Sequence, residues 1–361
     1  MQKLLKQTVQ PLMPVVLIGT AAQALLLSVF SNDGFFAQVF DLPKWLPGFH
    51  TLHDGLTLLT TYTIGLLGLL MAIFAARALT KNDKQLASIV TGIGYLILNT
   101  TRMATFSPAI GADGILLGLL FGWLIGFGFN HLPKVLTTSG TLLITLGLRL
   151  GWDRLATAHV LTLNAPRGSW LLWLNSGFGW LGLPAPIDAM MPMLTGTKAT
   201  ADLNAALAHH SLPNPISIGT LYRPYAMFGG VGMTLGLIIA ILLIDQRSEK
   251  RHLAWWSLPM SLVNLNLPLM LGYRIWLNPV MLIPYFSAPL ASCAIAWSAL
   301  KLHLIAASVY QVPATTPGPM IAWLTTNGNW PALIVAVLCL LVSVLIYLPF
   351  VKKVSGGEQL G

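Results

Sequence analysis

The chain has 361 residues, of which 55% are hydrophobic and only 9% are charged. Soluble domains carry roughly 25% charged residues, so the composition excludes an ordinary soluble protein and predicts an integral membrane protein. The formal net charge of +9 comes from 20 basic residues against 11 acidic ones. These basic residues are scattered between apolar runs and form no basic face of the kind that binds nucleic acid. We therefore expect no nucleic-acid partner.

Six apolar runs have about the 20 residues that a membrane-crossing helix needs. They are Leu12 to Phe30, Gly55 to Arg77, Asp113 to Asn130, Met227 to Asp245, Pro279 to Leu300 and Pro331 to Phe350. Shorter or broken apolar runs lie near Leu86 to Leu98, Val135 to Leu150, Ser169 to Leu183, Trp255 to Gly272 and Met320 to Leu324. The predicted fold class is an all-α polytopic membrane protein with about eight to ten transmembrane helices plus re-entrant hairpins.

Basic residues between the runs predict the orientation, because Lys and Arg concentrate in cytoplasmic loops. Three basic clusters should face the cytoplasm: Arg77 with Lys81 and Lys84, Arg247 with Lys250 and Arg251, and Lys352 with Lys353. The acidic loop from Ser31 to His53 should face outside. Both termini are then cytoplasmic, in a multi-pass protein.

Composition also divides the chain into segments. Residues 1–168 should form an N-terminal transmembrane bundle. Residues 169–226 are rich in Gly, Pro, Asn and small polar residues. They should form a connecting, partly amphipathic region. Residues 227–353 should form a C-terminal substrate-binding half with re-entrant segments, followed by a cytoplasmic tail over 354–361.

Four segments interrupt the apolar C-terminal half: Gly229 to Gly236, Asn264 to Pro268, Leu277 to Pro279 and Val312 to Pro319. Broken helices at membrane depth survive only where protein buries them or where they line a wet cavity, and converging half-helices often mark a substrate site. Amide and hydroxyl groups both donate and accept hydrogen bonds, which suits a neutral polyhydroxyl ligand. The candidate ligands are Asn264, Asn266, Asn278, Thr315 and Thr316. The alternative is that these groups only join helices to one another, at about 0.6 kcal/mol per contact.

Possible metal ligands are few. Cys293 and Cys339 each lie inside an apolar run and predict neither a disulfide framework nor a metal site. His50, His53 and Asp54 have a suitable spacing, but no second ligand pair accompanies them. We predict no metal site.

The motifs of the C-terminal half also resemble a known family. In order they read GGVGMTLGLIIAILL, SLPMSLVNLNLPLMLG, IWLNPVMLIPYFSAPL and VPATTPGPMIAWLTTNGNW. This order is similar to enzyme IIC, the membrane component of the lactose/cellobiose/chitobiose family of bacterial phosphotransferase systems, with the similarity concentrated between Gly229 and Lys353. The chain is a short, atypical member by this comparison.

The resemblance implies a homodimer built through the N-terminal spans and a C-terminal half that holds one sugar, such as a β-linked disaccharide. The sugar is carried inward and is phosphorylated by a separate cytoplasmic IIB protein. IIB is itself phosphorylated by IIA. Such a permease component needs no catalytic residue, no cofactor and no metal of its own. Its location would be the bacterial cytoplasmic membrane.

Two positions depart from the family pattern. The pattern Asn-x-Asn-Glu-Pro places a sugar-binding carboxylate where this chain has Leu267, and a family His aligns with Phe178. Arg274 could replace the missing polar group or bind an anionic substrate, although it could equally snorkel or pair at an interface. The substitutions leave a second hypothesis open, namely a non-transporting membrane sensor or regulator derived from the same fold.

Overall fold

The computed structural model describes residues 2–100, 107–156, 170–183 and 199–357. Within these ranges the chain is helical and contains no β-strand, so the predicted all-α class is confirmed. The helices are α1 (Gln2–Val9), α2 (Met13–Ser28), α3 (Phe35–Val39), α4 (Leu42–Trp45), α5 (Phe49–Thr63), α6 (Leu67–Leu79), α7 (Lys84–Asn99), α8 (Ile115–His131), α9 (Lys134–Ala156), α10 (Trp170–Trp180), α11 (199–207), α12 (Ile218–Ala226), α13 (Thr234–Ile244), α14 (Ser248–Leu262), α15 (Leu267–Gly272), α16 (Pro279–Lys301), α17 (Gly318–Thr325) and α18 (Trp330–Gly357). Short 3-10 turns cover Gln10–Leu12, Ile64–Leu66, Pro108–Ile110 and Ala112–Gly114.

Five helical segments of the described chain are long and apolar enough to cross a membrane. They are Leu4–Ser28, Phe49–Leu79, Ala112–His131, Pro279–Lys301 and Trp330–Gly356. Each overlaps one of the six runs predicted from hydropathy.

The sixth run, Met227 to Asp245, was wrongly predicted as a full-length span. Its helix, α13, has only 11 residues, because the chain before it turns sharply. Gly229, Gly230 and Gly232 have φ values of +79°, +92° and +83°. These values lie in the left-handed region that glycine tolerates, and they are incompatible with a continuous right-handed helix.

The chain packs as two compact units. The first comprises Met1–Gly19 and Leu58–Asn164, and the second comprises Thr20–Thr57 and Ala165–Gly361. The second unit therefore includes a segment that lies early in the sequence, and one of its ties is a hydrogen bond of 3.1 Å from the Phe35 backbone N–H to Thr315 Oγ1. The roles assigned to the N-terminal bundle, the connecting region and the C-terminal half stay predictions.

Small residues allow close helix packing in the first unit. A Cβ added at Gly118 of α8 would lie 2.2 Å from the Gly68 carbonyl oxygen of α6, and one at Gly122 would lie 2.2 Å from the Ala72 carbonyl oxygen. The two backbones are thus in direct contact, the arrangement by which small residues drive helix association in membranes.

The second unit is built on two long antiparallel helices, α16 and α18. Ser292 of α16 meets Cys339 of α18 through two hydrogen bonds, of 3.5 Å and 3.6 Å. Further along, Tyr285 of α16 and Tyr347 of α18 both reach Gly232, the first with its ring and the second by a 2.6 Å hydrogen bond from its hydroxyl to the Gly232 oxygen. Since residue numbers rise in α16 as they fall in α18, the start of α16 and the end of α18 lie at the same end of the unit.

Candidate site at two hairpin tips

The first element of the candidate site is a helical hairpin, which we call the first hairpin, formed by α14, the turn 263–266 and α15. Its base is fixed by two hydrogen bonds of 2.9 Å. The Tyr273 hydroxyl donates to Asp245 Oδ2, and Lys250 Nζ donates to the Gly272 oxygen. Because α16 begins at Pro279, only six residues after Tyr273, this base lies at the end of the unit where α16 starts.

A second hairpin, residues 302–325, links α16 to α18. Its two arms are joined by the backbone N–H groups of Val309 and Tyr310, which donate to the Thr325 oxygen over 2.9 Å and 3.0 Å. The hairpin leaves α16 after Lys301 and ends before Trp330, where α18 begins. Its base is therefore at the opposite end of the unit from the base of the first hairpin.

Asn264 joins the tips of the two hairpins. Its side-chain Nδ2 donates to the backbone oxygens of Ala314 and Thr316, both over 3.0 Å. Its Oδ1 accepts a 3.3 Å hydrogen bond from the Gly229 N–H, in the turn that precedes α13. One amide thus connects three of the four segments that interrupt the C-terminal half, and Asn264 itself has a left-handed φ of +68°.

The junction lies near the middle of the long helices. Gly236, in the first turn of α13, packs directly against Ser343, which is 13 residues from each end of the segment Trp330–Gly356. The length of α13 gives the same depth for the junction. Its 11 residues rise about 16 Å, which is roughly half of a hydrocarbon core about 30 Å thick.

Asn266 stands beside this junction. Its Nδ2 donates to the Val231 oxygen over 3.1 Å, which ties the first hairpin to the glycine turn a second time. Val231 also faces α10, because a Cβ at Gly179 would lie 2.9 Å from Val231 Cγ1 and 2.9 Å from the Tyr285 hydroxyl. The last turn of α10 is therefore part of the wall around the junction.

The two candidate threonines are brought to the junction, but their hydroxyls bind backbone. Thr315 Oγ1 accepts from the Phe35 N–H and lies 3.5 Å from the Leu27 oxygen, while Thr316 Oγ1 donates to the Pro313 oxygen over 2.8 Å. Both residues are almost fully buried. In this structure they hold the tip of the second hairpin in shape.

The remaining candidate residues occupy different places. Leu267 is the half-buried first residue of α15, directly after Asn266, and Phe178 lies on the last turn of α10 with 37% of its surface exposed. Asn278 caps α16, since its Oδ1 accepts a 3.0 Å hydrogen bond from the Val280 N–H. Arg274 follows Tyr273 at the base of the first hairpin, so α15 separates it from Asn264.

Sequence reasoning missed the ionic cluster at that base. Arg247 forms a salt bridge of 2.6 Å with the fully buried Asp245, which also accepts the Tyr273 hydroxyl. Burial opposes ionisation of this carboxyl, but the hydrogen bonds and charge of Arg247 and the hydrogen bond of Tyr273 outweigh it and lower its pKa. The hydrogen bond from Tyr273 to Asp245 joins residues 28 positions apart, so no local sequence motif indicates it.

Comparison with known proteins finds similarity to membrane components of bacterial sugar phosphotransferase systems. No family model matches it. It is 36% identical over 135 residues to the cellobiose-specific EIIC component of the phosphotransferase system of Lactococcus lactis subsp. lactis, a match that covers 37% of this chain and 27% of that protein. It is 26% identical over 325 residues to the galactose-specific EIIC component of Lactococcus lactis subsp. cremoris, covering 88% of this chain and 66% of that protein.

The fold has a solved counterpart. The crystal structure of ChbC, the IIC component of the N,N'-diacetylchitobiose-specific phosphotransferase system, matches with a TM-score of 0.50 and 18% identity over 99% of this chain and 95% of that one. At this identity the likeness concerns the fold alone. The chain spans about two thirds or less of the length of the curated relatives described above.

Proposed function

We propose, from the premise that this chain belongs to the enzyme IIC family of phosphotransferase membrane components, that it is a sugar permease subunit. It binds a sugar, taken to be a β-linked disaccharide, and translocates it for phosphorylation by a separate IIB protein. The cellobiose specificity named for the Lactococcus lactis relative supports this sugar class.

The observation that carries the proposal is the meeting of two hairpin tips through Asn264, half-way along the spanning helices. Hairpins that enter from opposite ends and meet at mid-depth build a site that is separated from both membrane faces. Their unwound backbone is tolerated at that depth because it is satisfied inside the protein. A plain helical bundle would have no use for such interruptions.

Neutral amides supply the sugar-binding groups in this proposal. Asn266 uses one N–H on Val231, and its second N–H and its oxygen are not used by any hydrogen bond recorded in the described part of the chain. Asn278 uses its oxygen as a helix cap and retains an NH₂ group. Both can bind sugar hydroxyls, while Asn264, Thr315 and Thr316 shape the site.

The proposed orientation places both termini and the base of the first hairpin in the cytoplasm of a bacterial cell, in a multi-pass protein of the cytoplasmic membrane with about eight to ten spans. This orientation is supported by two basic clusters that lie at the same end of the second unit. Arg247 and Lys250 lie at the base of the first hairpin, and Lys352 and Lys353 lie at the end of α18. That end would receive IIB, which IIA phosphorylates. A homodimer built through the N-terminal unit completes the proposal.

A second candidate function is a non-transporting sensor or regulator, and Leu267 favours it. This side chain forms no hydrogen bond with a hydroxyl, yet it stands beside Asn266 at the tip of the first hairpin where the family pattern has a carboxylate. Phe178 likewise replaces a His. If both polar groups are uncompensated, sugar affinity falls by about 1–3 kcal/mol for each.

Exchange in proteoliposomes separates the two functions. Purified protein is reconstituted into sugar-loaded vesicles, and the uptake of labelled cellobiose is followed with and without an excess of unlabelled sugar. Saturable exchange supports the permease, while binding without exchange supports the sensor. Neither binding nor exchange with any disaccharide or monosaccharide tested would refute both.

A further inference from the structure

Trp276 carries a buried hydrogen-bond donor that no hydrogen bond uses in the described part of the chain. Its side chain is only 4% exposed, and its Nε1 has no hydrogen-bond partner in the described structure. Burying an N–H without an acceptor costs about 1–3 kcal/mol, so such a group in a native protein calls for a functional or solvent explanation.

The indole nitrogen faces the end of α10. A Cβ at Gly182 would lie 2.7 Å from Trp276 Nε1, and Gly182 has a φ of +70° at the turn that ends the helix. Only the absence of a side chain at Gly182 lets the indole approach this closely. The nearby indole of Trp180 does have an acceptor, because its Nε1 donates to the Asn278 oxygen over 3.2 Å.

The same helical turn borders the hairpin junction. Gly179, three residues before Gly182, packs against Val231, whose oxygen accepts from Asn266. Trp276 Nε1 and Val231, the residue that Asn266 binds, therefore lie against Gly182 and Gly179, three residues apart at the end of α10. Phe178, which stands in place of the family His, directly precedes Gly179. A polar donor is thus present beside Phe178, the position at which the family pattern has a His and this chain has no polar side chain.

We propose that the Trp276 indole N–H donates a hydrogen bond to an oxygen of the bound sugar and so determines specificity at one sugar position. This inference rests on the proposed function. An indole N–H donates and cannot accept, so the group that it binds must offer a lone pair, as the oxygen of one sugar hydroxyl does. A protonated amino group at that sugar position would present only donors and would be rejected.

The test compares binding of monodeoxy analogues of one disaccharide to the natural chain and to Trp276→Phe, by titration calorimetry. The natural chain should lose about tenfold in affinity for one analogue, and Trp276→Phe should bind that analogue and the parent sugar about equally. Trp180→Phe is the matched control, because its N–H serves the backbone. That variant should still discriminate between the two sugars.

A second variant guards against misfolding. Benzothienylalanine at position 276 keeps the shape of the indole and replaces only the N–H with sulfur, so it should reproduce the loss of discrimination. If parent sugar binds but no analogue distinguishes the natural chain from either variant, the inference is overturned while the permease stands. If the natural chain binds no sugar, the inference and the proposed function both fail.

Discussion

Asn264 and Thr316 are joined by a 3.0 Å hydrogen bond from the Asn264 side chain to the Thr316 backbone oxygen. The two residues belong to hairpins whose bases lie at opposite ends of the same unit. The bond to Thr316, with its neighbour to Ala314, is therefore a tie between structures that could otherwise move independently.

Replacing Asn264 with Asp should destabilise the second unit. The carboxylate keeps the acceptor for the Gly229 N–H but loses both donors and faces two carbonyl oxygens, at a cost of about 2 kcal/mol or more. Thermal unfolding in detergent measures the loss. Asn278→Asp is the matched control, since Asp caps a helix as well as Asn does, and its stability should change by less than about 0.5 kcal/mol. Equal effects of the two variants would show that Asn264 does not hold the hairpins together.

The buried carboxylate of Asp245 should make stability depend on pH. Its pKa is lowered in the folded protein, below the unfolded value of about 3.9. Its contribution is therefore fully present above the unfolded pKa and is lost as the pH falls through the folded pKa. Melting temperatures of the natural chain and Asp245→Asn, measured from pH 7 to pH 3, should differ most at neutral pH and converge in acid. A constant difference across this range would contradict the ion-pair account.

Gly236 should not tolerate a methyl group. A Cβ there would lie 2.0 Å from Ser343 Oγ and 3.2 Å from the Ser343 backbone, so Gly236→Ala must push α13 away from α18, at about 1–3 kcal/mol. Gly140 in α9 is a control with open space around it, where Ala should stabilise the helix by about 0.5–1 kcal/mol. Unfolding midpoints should therefore move in opposite directions, and a stable Gly236→Ala protein would refute the close packing.

Hydropathy predicted the helical class and five long helices because burial in lipid selects for long apolar runs. It overestimated the run from Met227 to Asp245, since apolar composition does not register three glycines with positive φ. The sequence pattern also pointed to Asn264 and Thr316 as neighbours in function. It could not show that their polar groups satisfy backbone, because those partners lie about 50 residues apart and depend on how the hairpins fold.

Trp276 and Asp245 illustrate the same limit. A tryptophan in an apolar stretch predicts packing or an interfacial position, and only the approach of Gly182 shows that its N–H is left over. An Asp at the end of an apolar run predicts a solvated loop. Its burial follows from Tyr273, which returns to the same place along the first hairpin.

Sugar binding by the natural chain, measured by titration calorimetry beside Leu267→Glu, tests the central claim most directly. The permease account predicts micromolar binding of a β-linked disaccharide by the natural chain, and tighter binding by Leu267→Glu, with Leu267→Gln as a control that is isosteric with Glu but uncharged. A natural chain that binds no sugar, while Leu267→Glu does, would contradict transport and identify a site that Leu267 has inactivated.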